Sequence, residues 1–277
     1  EVRFDGELKE YWDNQYHCVT HENYTSVMAV PYDLFVSGYN SEAVSKLRLW
    51  KAEMADFDMS MFNQGDYQKA LSKNIISQAI TKVLYPNDNH AEGKSLRLRQ
   101  QYFLCAASIG DIVQNHLSSY ATLENLPDKV AIQLNDTHPT LAIPEMMRIL
   151  LDECGFDWDK AFSICQRVFS YTNHTVMAEA LEKWNVDIFK MTLPRIYQIV
   201  VEMDRRAREE LEKAFPGDEG KINYMALIGD NQVRMANICA YTANSINGVS
   251  KLHSEIIKES VFHDYYLFKP QAFKNVT

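Results

Sequence analysis

The pattern of apolar and polar residues divides the chain into a β-rich beginning and a longer part in which strands alternate with helices. In the first part, the runs at 24–30 and 46–50 have the β-branched, aromatic and aliphatic composition of strands. Pro31 and Gly38 are expected to mark turns between strands. The sequence therefore predicts a β-rich N-terminal segment over residues 1–60.

A first amphipathic helix is predicted over residues 66–81, where apolar residues recur at helical spacing behind Gly65-Asp66. This helix has no short hairpin partner and is apolar on one face. Two interpretations remain: it is a helix of the core, or it projects and packs against another subunit.

Short β-like runs then alternate with helices three times, which is typical of parallel βαβ units with right-handed connections. The β-like runs are 82–85, 130–134 and 167–171, and the helices are 96–116, one that ends at Glu153, and 158–166. The remainder is predicted to be mainly helical, with a long helix from Pro194 to Phe215. The pattern predicts an α/β fold over residues 61–277, with a parallel sheet and flanking helices.

Polar residues collect where the three β-like runs end, and each end combines Asn or Asp with His. The three groups are Asn87-Asp88-Asn89-His90, Asn135-Asp136-Thr137-His138 and Asn173-His174. A single Asn or Asp in such a place commonly caps the next helix. Three ends of one composition favour a binding site, because ligands bind outside the carboxyl ends of parallel strands. Asn, Asp and neutral His offer donors and acceptors without positive charge, which suits a hydroxyl-rich ligand.

The balance of charge argues against nucleic acid as a partner. The chain has 28 Lys and Arg against 37 Asp and Glu, a net charge of −9, whereas a phosphate backbone is bound by clustered cations. The basic run at 205–208 is followed at once by Glu209, Glu210 and Glu212, which predicts a salt-bridged helix face. The apolar stretches are far shorter than the roughly 18 residues that a membrane span needs, so no membrane partner is expected.

Five cysteines without a CxxC pair indicate a reducing compartment, and we expect a cytoplasmic protein. The 10 glycines form no GxGxxG or GxxxxGK[ST] phosphate loop. The chain opens at Glu1 without an initiator Met and trails off at Thr277 without a terminal helix. These features predict a fragment of a longer protein.

The residues leave two alternatives open: a non-catalytic sugar-binding or dimerisation module, which suits an isolated fragment, and a two-metal phosphoesterase. Asp136-Thr-His138 resembles the opening DxH motif of those enzymes, and Asn173-His174 could imitate their later Asn-His pair. Asp and His ligands would then hold two metal ions that activate water. No GDxxD or GHxH motif follows, so we expect no metal site.

An ordered series of motifs resembles the α-glucan phosphorylases, the pyridoxal-phosphate enzymes of glycogen and maltodextrin breakdown, over nearly the whole chain. The motifs, in family order, are Tyr85-Pro-Asn-Asp-Asn89, Gln133-Leu-Asn-Asp-Thr-His-Pro139, Tyr171-Thr-Asn-His-Thr175, Glu179-Ala-Leu-Glu-Lys-Trp184, Phe215-Pro-Gly-Asp218, Met235-Ala-Asn237, Asn247-Gly-Val249 and His253-Ser-Glu255.

This resemblance implies one half of a two-domain GT-B-type architecture, in which two Rossmann-like domains face each other across a cleft. The chain is similar to the later part of the first domain. The family's Schiff-base lysine and phosphate-binding cations belong to the second domain, so pyridoxal phosphate would bind outside this chain. The implied activity is transfer of a terminal glucosyl unit from α-1,4-glucan to phosphate, and the chain alone is expected to be inactive.

The family's functional residues fall on the strand-end groups. By motif, the catalytic candidates are His174 and Asp136, and the substrate-binding candidates are Asp88, Asn89, His138 and Asn173. Asn89 would bond a glucosyl hydroxyl from a loop (residues 87–93) that gates the cleft, with Asp88 as its anionic element. The main-chain carbonyl of His174 would face the positive charge that develops at the anomeric carbon, and its imidazole the primary hydroxyl. In this family the cofactor phosphate is the acid–base group, so no side chain here need donate the proton.

Two further features concern assembly and control. The helix at 66–81 matches the family's dimer-contact helix, so a homodimer is expected. Where animal members place paired arginines for the activator AMP, this chain has Val113-Gln-Asn-His116, so AMP control is not expected. These residues do not distinguish glycogen, starch and maltodextrin as the preferred glucan.

Overall fold

The first part of the chain is built from antiparallel strands. A computed structural model describes residues 1–14, 16–54 and 62–276, except for the side chains of residues 16, 68–74 and 76. The five strands are β1 (Val2–Phe4), β2 (Glu7–Asp13), β3 (Tyr16–Glu22), β4 (Thr25–Ser37) and β5 (Val44–Met54). β1, β4 and β5 form one sheet in that order, and β2 pairs with β3 as a hairpin. Strands occupy both predicted runs, while the predicted boundary at residue 60 lies outside the described residues.

The prediction of a turn at Pro31 is wrong, because Pro31 lies inside β4, opposite Trp50 of β5. β1 pairs only with residues 25–27 of β4. Beyond them, no other described strand covers this edge of β4, and a residue without an N–H is tolerated at such an edge. Gly38 does lie at the turn between β4 and β5, where its N–H donates to Ala43 O at 2.8 Å.

Helix α1 (Tyr67–Lys82) confirms the first predicted helix to within one residue. The prediction of a strand at 82–85 is wrong, because Lys82 ends α1 and the chain then bends through Val83 and Leu84, which are 65% and 56% exposed. A short apolar run fits a strand or a helix end equally well by composition alone. Tyr85, which precedes Pro86, adopts a left-handed φ of 55° and cannot easily continue a helix.

A parallel sheet of three strands forms the centre of the α/β part. Its strands are β6 (Ile132–Asn135), β7 (Phe169–Asn173) and β11 (Ile246–Gly248), in that spatial order. The helices before and between β6 and β7 are α2 (Ala91–Tyr120), α3 (Leu126–Lys129), α4 (Ala142–Arg148), which continues as a π-helical turn over Ile149–Glu153, and α5 (Trp158–Val168). Two of the three predicted parallel strands are therefore confirmed, and β11 takes the place of the third.

The rest of the chain is mainly helical, as predicted, apart from one small antiparallel sheet. The elements that follow β7 are β8 (Lys183–Asn185), α6 (Val186–Thr192), α7 (Pro194–Ala214), α8 (Glu219–Met225), β9 (Ile228–Gly229), β10 (Gln232–Arg234), α9 (Met235–Thr242), α10 (Lys251–Glu259) and α11 (His263–Phe268). β10 pairs with both β8 and β9. The prediction for α7 is confirmed to within one residue at its end.

The core follows the parallel sheet. Leu134, Tyr171 and Ile246 lie at matching register positions of the three strands and are fully buried. Burying a large apolar side chain contributes about 1.5–3 kcal/mol, so this row stabilises the side-by-side placement of the strands. The chain is thus a mixed α/β structure whose sheet brings the ends of β6, β7 and β11 to one edge.

The structure also describes three further features of the sequence: the cysteines, the charged face of α7 and the apolarity of the helices. All five cysteines are free thiols, and burial raises the pKa of Cys105 and of Cys239 to about 12. The predicted salt-bridged face of α7 is confirmed, since Arg205 pairs with both Glu202 and Glu209. Within the described ranges, no helix has the length and apolarity that crossing a bilayer requires.

Candidate functional site

The ends of β6 and β7 meet at one edge of the parallel sheet. Asn135 lies opposite Thr172 in register, and the N–H of Asp136 still donates to Thr172 O at 2.9 Å beyond the end of the strand. His174 Nε2 lies 2.5 Å from Asn135 Oδ1. Since an amide oxygen only accepts, Nε2 carries the proton in this contact, and Nδ1 of the neutral imidazole is left as an acceptor. Two of the three predicted groups are therefore in direct contact.

Asp136 turns the chain away from the sheet. Its φ of 66° is left-handed, a conformation that Asp tolerates better than most residues. Asp136 is half-buried and His138 is exposed. His138 lines an apolar cavity of about 320 Å³ beside α2, together with Leu104 and Ile112, and neither Asp136 nor His174 lines it. The catalytic role of Asp136 and the substrate-binding role of His138 remain predictions.

Asn173 is fully buried, unlike its neighbour His174. Its Nδ2 donates to Tyr171 Oη at 3.0 Å, and its Oδ1 accepts from Thr175 N–H at 3.1 Å. Burial raises the pKa of Tyr171, so the phenol stays protonated. As placed here, the Asn173 side chain shapes the turn after β7 and faces the protein interior, and its role in substrate binding remains a prediction.

The loop after β7 is also supported from β11. Thr175 O accepts from His253 Nε2 at 3.3 Å, and His253 Nδ1 accepts from Val249 N–H at 3.1 Å. Gly248 permits this approach, because a Cβ there would lie 2.8 Å from the His253 ring. All three parallel strands therefore contribute to the position of His174.

The third predicted group lies in the loop at residues 87–93, which we call the gate loop. Asn87 Oδ1 accepts from Asn89 N–H at 3.0 Å, and the Asn89 side chain is exposed. His90 caps α2, because its Nδ1 accepts from Gly93 N–H at 2.9 Å. A Cβ on Gly93 would lie 1.9 Å from Asn87 O. The loop therefore folds back so closely on the first turn of α2 that only glycine fits at 93.

Asp88 joins the gate loop to α2 through an ion pair. Its Oδ2 accepts from Arg97 Nη1 at 2.6 Å. The hydrogen bond from Arg97 lowers the pKa of the Asp88 carboxyl, which keeps it anionic at neutral pH. The same guanidinium donates from Nη2 to Glu182 Oε1 at 3.0 Å and lies 5.8 Å above the ring of Trp184.

Glu182 connects this ion pair to the end of β6. Its Oε1 also accepts from Gln101 Nε2 at 2.8 Å, and its Oε2 accepts from Thr137 Oγ1 at 3.2 Å. Thr137 lies between Asp136 and His138 and is buried. A continuous set of contacts thus runs from the gate loop through Arg97 and Glu182 to the β6 end, which itself contacts His174.

The sequence alone indicated no role for Glu182, Gln101, Thr137 or Arg97. Arg97 and Gln101 are four residues apart and lie on one face of α2, and this shared face could be predicted from the sequence. Glu182 stands inside a family motif, but its partners are remote in sequence.

A metal site finds no support in this geometry. Across residues 1–14, 16–54 and 62–276, no three His, Cys, Asp or Glu side chains are grouped so that they could hold a metal ion. Asp136 and His138, the DxH pair, flank a threonine that is already bonded to Glu182. The phosphoesterase alternative therefore gains nothing from the structure.

A larger cavity, of about 840 Å³, lies away from the strand ends. Its walls come from β1 to β5, α2, α4 with its π turn, and the start of α7. Buried Glu145 lies in its wall and accepts from Tyr102 Oη at 2.7 Å and from Arg148 at 2.8 and 2.9 Å. None of the predicted site residues lines this cavity, so it is separate from the strand-end site.

Comparison with known proteins matches the whole chain to one protein family. The profile of the family described as carbohydrate phosphorylase matches residues 1–277. The brain form of glycogen phosphorylase from Rattus norvegicus is 45% identical over 263 residues, which cover 91% of this chain and 31% of the relative. The muscle form from Homo sapiens is 44% identical over the same shares. Glycogen phosphorylase from Chlamydia trachomatis serovar D is 41% identical over 281 residues, covering 100% of this chain and 34% of the relative. The chain thus spans about a third of the length of these relatives.

Proposed function

This chain belongs to the carbohydrate phosphorylase family, and we propose that its parent protein transfers a terminal glucosyl unit from α-1,4-glucan to inorganic phosphate, releasing glucose 1-phosphate. Relatives that are 41–45% identical carry the name glycogen phosphorylase. The chain spans 31–34% of their length, so the proposal concerns the parent protein.

The observation that carries the proposal is the contact set that joins the gate loop, the β6 end and the β7 end. His174 meets Asn135, and Asp88 reaches Thr137 through Arg97 and Glu182. Hydroxyl groups of a hexose need several donors and acceptors converging from different directions, and the ends of β6 and β7, together with the gate loop that Arg97 and Glu182 join to them, can supply them. This supports a single sugar site at the strand ends.

Each predicted residue then has a role that its surroundings allow. The exposed amide of Asn89 would bond a glucosyl hydroxyl, and the anionic Asp88 would hold the gate loop against Arg97. The main-chain carbonyl of His174 would stabilise the positive charge at the anomeric carbon, because a fixed dipole needs no reorganisation when that charge develops. Asp136 and His138 would line the site, while the buried Asn173 would act by shaping the loop that carries His174.

The architecture that we propose is the family's GT-B arrangement, with this chain as the later part of its first Rossmann-like domain. Parallel strands in the order β6-β7-β11, with polar groups at the carboxyl ends of β6 and β7, support it. In this proposal residues 1–60 are a β-rich segment, residues 61–277 an α/β region, and the cofactor-binding domain lies outside the chain.

Pyridoxal phosphate does not fit the residues described here. The cofactor needs a lysine for its imine and positive charge or free N–H groups for its phosphate, and the strand-end groups contain no Lys or Arg. Arg97 is already shared between Asp88 and Glu182. The buried amino group of Lys269 donates to the carbonyls of Tyr241 and Ala243. We therefore propose that the parent binds the cofactor outside this chain.

A cytoplasmic homodimer without AMP control completes the proposal. Helix α1 packs on β5, where Ala52 N–H donates to Thr81 Oγ1 at 3.0 Å, and it leaves Tyr67 and Ile75 53% and 68% exposed for a second subunit. At the place of the family's paired arginines, Gln114 and Asn115 are exposed and uncharged. The free thiols suit a reducing compartment.

The direct test is phosphorolysis by the purified parent protein, loaded with pyridoxal phosphate and supplied with maltodextrin and inorganic phosphate. We expect glucose 1-phosphate to form only when phosphate is present. Free glucose as the product, or no turnover, would contradict the proposal. The 277-residue chain alone should give no product, and turnover by it would contradict our assignment of the cofactor to the rest of the parent.

A further inference from the structure

Taking the proposed phosphorolysis as its basis, we infer that Glu182 is a positioning residue that couples the gate loop to the end of β6. Its carboxylate is the one group in the contact set that bonds to both sides, reaching Arg97 and Gln101 on α2 and Thr137 after β6. Loss of the Glu182 carboxylate would then disturb the gate loop and the strand-end site at the same time.

The chemistry at position 182 favours a carboxylate. The Glu182 side chain is 11% exposed, and all three of its partners are donors: a guanidinium, an amide NH₂ and a hydroxyl. A carboxylate is acceptor-only and can receive all three. Glutamine has the same shape but no charge, so the bond from the Arg97 guanidinium loses its ionic strength, and its NH₂ group would have to face Thr137 with the hydroxyl turned round to accept.

Glu182 is itself held by a rigid support. Its main-chain carbonyl accepts from Met235 N–H at 3.1 Å, and the next residue, Lys183, pairs with Arg234 in the β8–β10 sheet. The carboxylate therefore has a fixed position from which it can orient other groups.

Toward the gate, Glu182 keeps Arg97 in place for Asp88. The guanidinium uses Nη2 for Glu182 and Nη1 for Asp88, and it lies over Trp184. The Asp88 side chain is 40% exposed, and exposed ion pairs contribute little by themselves. The gate loop can thus detach from Arg97 while Arg97 stays on Glu182, whereas loss of Glu182 frees Arg97 as well.

Toward the strand end, Glu182 fixes the loop that carries Asp136 and His138. The hydroxyl of Thr137 donates to Glu182, while its carbonyl accepts from Thr140 N–H and Oγ1 at 3.1 and 2.7 Å. Because both the hydroxyl and the carbonyl of Thr137 are bonded, the backbone of its neighbours Asp136 and His138 is also fixed. Glu182 acts on the site through Thr137 and Arg97 and need not touch the sugar.

The test compares Glu182→Gln, Glu182→Asp and the control Glu209→Gln in the parent protein, where Glu209 pairs with Arg205 on the exposed face of α7. We expect Glu182→Gln to lower kcat/KM for phosphorolysis by roughly 10- to 100-fold, the loss that a small misplacement of reacting groups causes. Glu182→Asp keeps the charge and should recover part of that loss, whereas Glu209→Gln should match the wild type.

A second readout reports on the gate loop without using activity. Lys94 is exposed at the start of α2, directly after the gate loop. The rate of tryptic cleavage after Lys94 therefore measures opening of the gate loop. Thr137→Val removes one donor to Glu182 from the far side of the contact set. We expect faster cleavage in both Glu182→Gln and Thr137→Val, but not in Thr242→Val, whose buried hydroxyl has no hydrogen-bond partner in the described structure.

The outcomes separate this inference from the proposed function. An active wild type in which Glu182→Gln and Thr137→Val leave both kcat/KM and cleavage unchanged would overturn the coupling and leave phosphorolysis standing. An inactive wild type would remove the proposed function, while the cleavage assay would still decide whether Glu182 couples the two segments. If Glu182→Gln does not fold, Glu182→Asp and Thr137→Val carry the same comparison.

Discussion

The imidazole Nε2 of His174 lies 2.5 Å from the side-chain oxygen of Asn135, so the loop that follows one parallel strand is in direct contact with the end of its neighbour. Asn135 is the last residue of β6, and His174 follows the last residue of β7. This contact gives the exposed His174 side chain a fixed orientation at the sheet edge. It is also the part of the candidate site that mutation can examine most simply.

Replacing His174 by Ala in the parent should lower kcat/KM by roughly 10- to 100-fold, because it removes the bond to Asn135 and the proposed bond to the sugar, each worth about 0.5–1.5 kcal/mol. The melting temperature should hardly change, since His174 is exposed. The matched control is His263→Ala, which removes an exposed histidine on α11. Near-normal kinetics in His174→Ala would remove His174 from the site.

Gly93→Ala should open the gate loop, because the added Cβ would lie 1.9 Å from Asn87 O. We expect KM for the glucan to rise several-fold, a modest loss for a displaced binding loop. Gly110→Ala is the control in the same helix, since a Cβ there meets no heavy atom within 4 Å. It should stabilise the protein by up to about 1 kcal/mol through helix propensity. Equal kinetics for the two variants would show that the close approach at Gly93 is not needed.

Glu145→Gln should destabilise the parent by about 3–5 kcal/mol, the usual result when one partner of a buried ion pair is removed. Glu145 is 3% exposed at its side chain and pairs with Arg148, while also accepting from Tyr102. Urea denaturation monitors the change. Glu209→Gln, which breaks an exposed pair, should alter stability little, and a similar small change in Glu145→Gln would mean that Arg148 finds sufficient compensation in Glu153.

Stability should rise between pH 7 and pH 9 because of Lys269. Although Lys269 is half-buried as a residue, its amino group is enclosed and donates to Tyr241 O and Ala243 O at 2.7 and 3.0 Å, and burial lowers its pKa to about 7. The unfolded chain keeps the ordinary pKa of about 10.4. It therefore binds more protons than the folded chain in this window, and the free energy of unfolding increases with pH.

The measurement is the free energy of unfolding of the parent at pH 7 and pH 9, compared with Lys269→Met and with Lys213→Met as a control at an exposed position. Lys269→Met should reduce the rise, and Lys213→Met should keep it. A rise of the same size in Lys269→Met would assign the pH dependence to other groups.

Helix α7 shows how much of the fold follows from local sequence. Pro194 supplies its first residue, apolar residues recur at helical spacing through its length, and Pro216-Gly217 follows its end. The run at 82–85 shows the limit, because a lysine and three apolar residues before a proline fit either a strand end or the end of a helix. Only the tertiary structure decides that α1 continues to Lys82.

The meeting of the groups after β6 and β7 was predictable because parallel strands bring their carboxyl ends to one edge, whereas the group at 87–90 follows the end of α1 and was not placed by that reasoning. The inward direction of the Asn173 side chain could also be predicted, since Asn173 follows the apolar Phe169 and Tyr171 at every second position and so shares their face of β7. The role of Glu182 was not, because it lies 85 residues from Arg97 and 45 from Thr137. Contacts at such separations depend on how the helices and sheets pack.

The most direct test of the central claim, that the gate loop and the ends of β6 and β7 form one sugar site, is a crystal structure of the parent protein with a bound maltooligosaccharide. We expect its terminal glucosyl unit within hydrogen-bond distance of groups from all three segments, with Asn89 and His174 among them. A sugar bound elsewhere, or one that contacts only one of the three segments, would contradict the account.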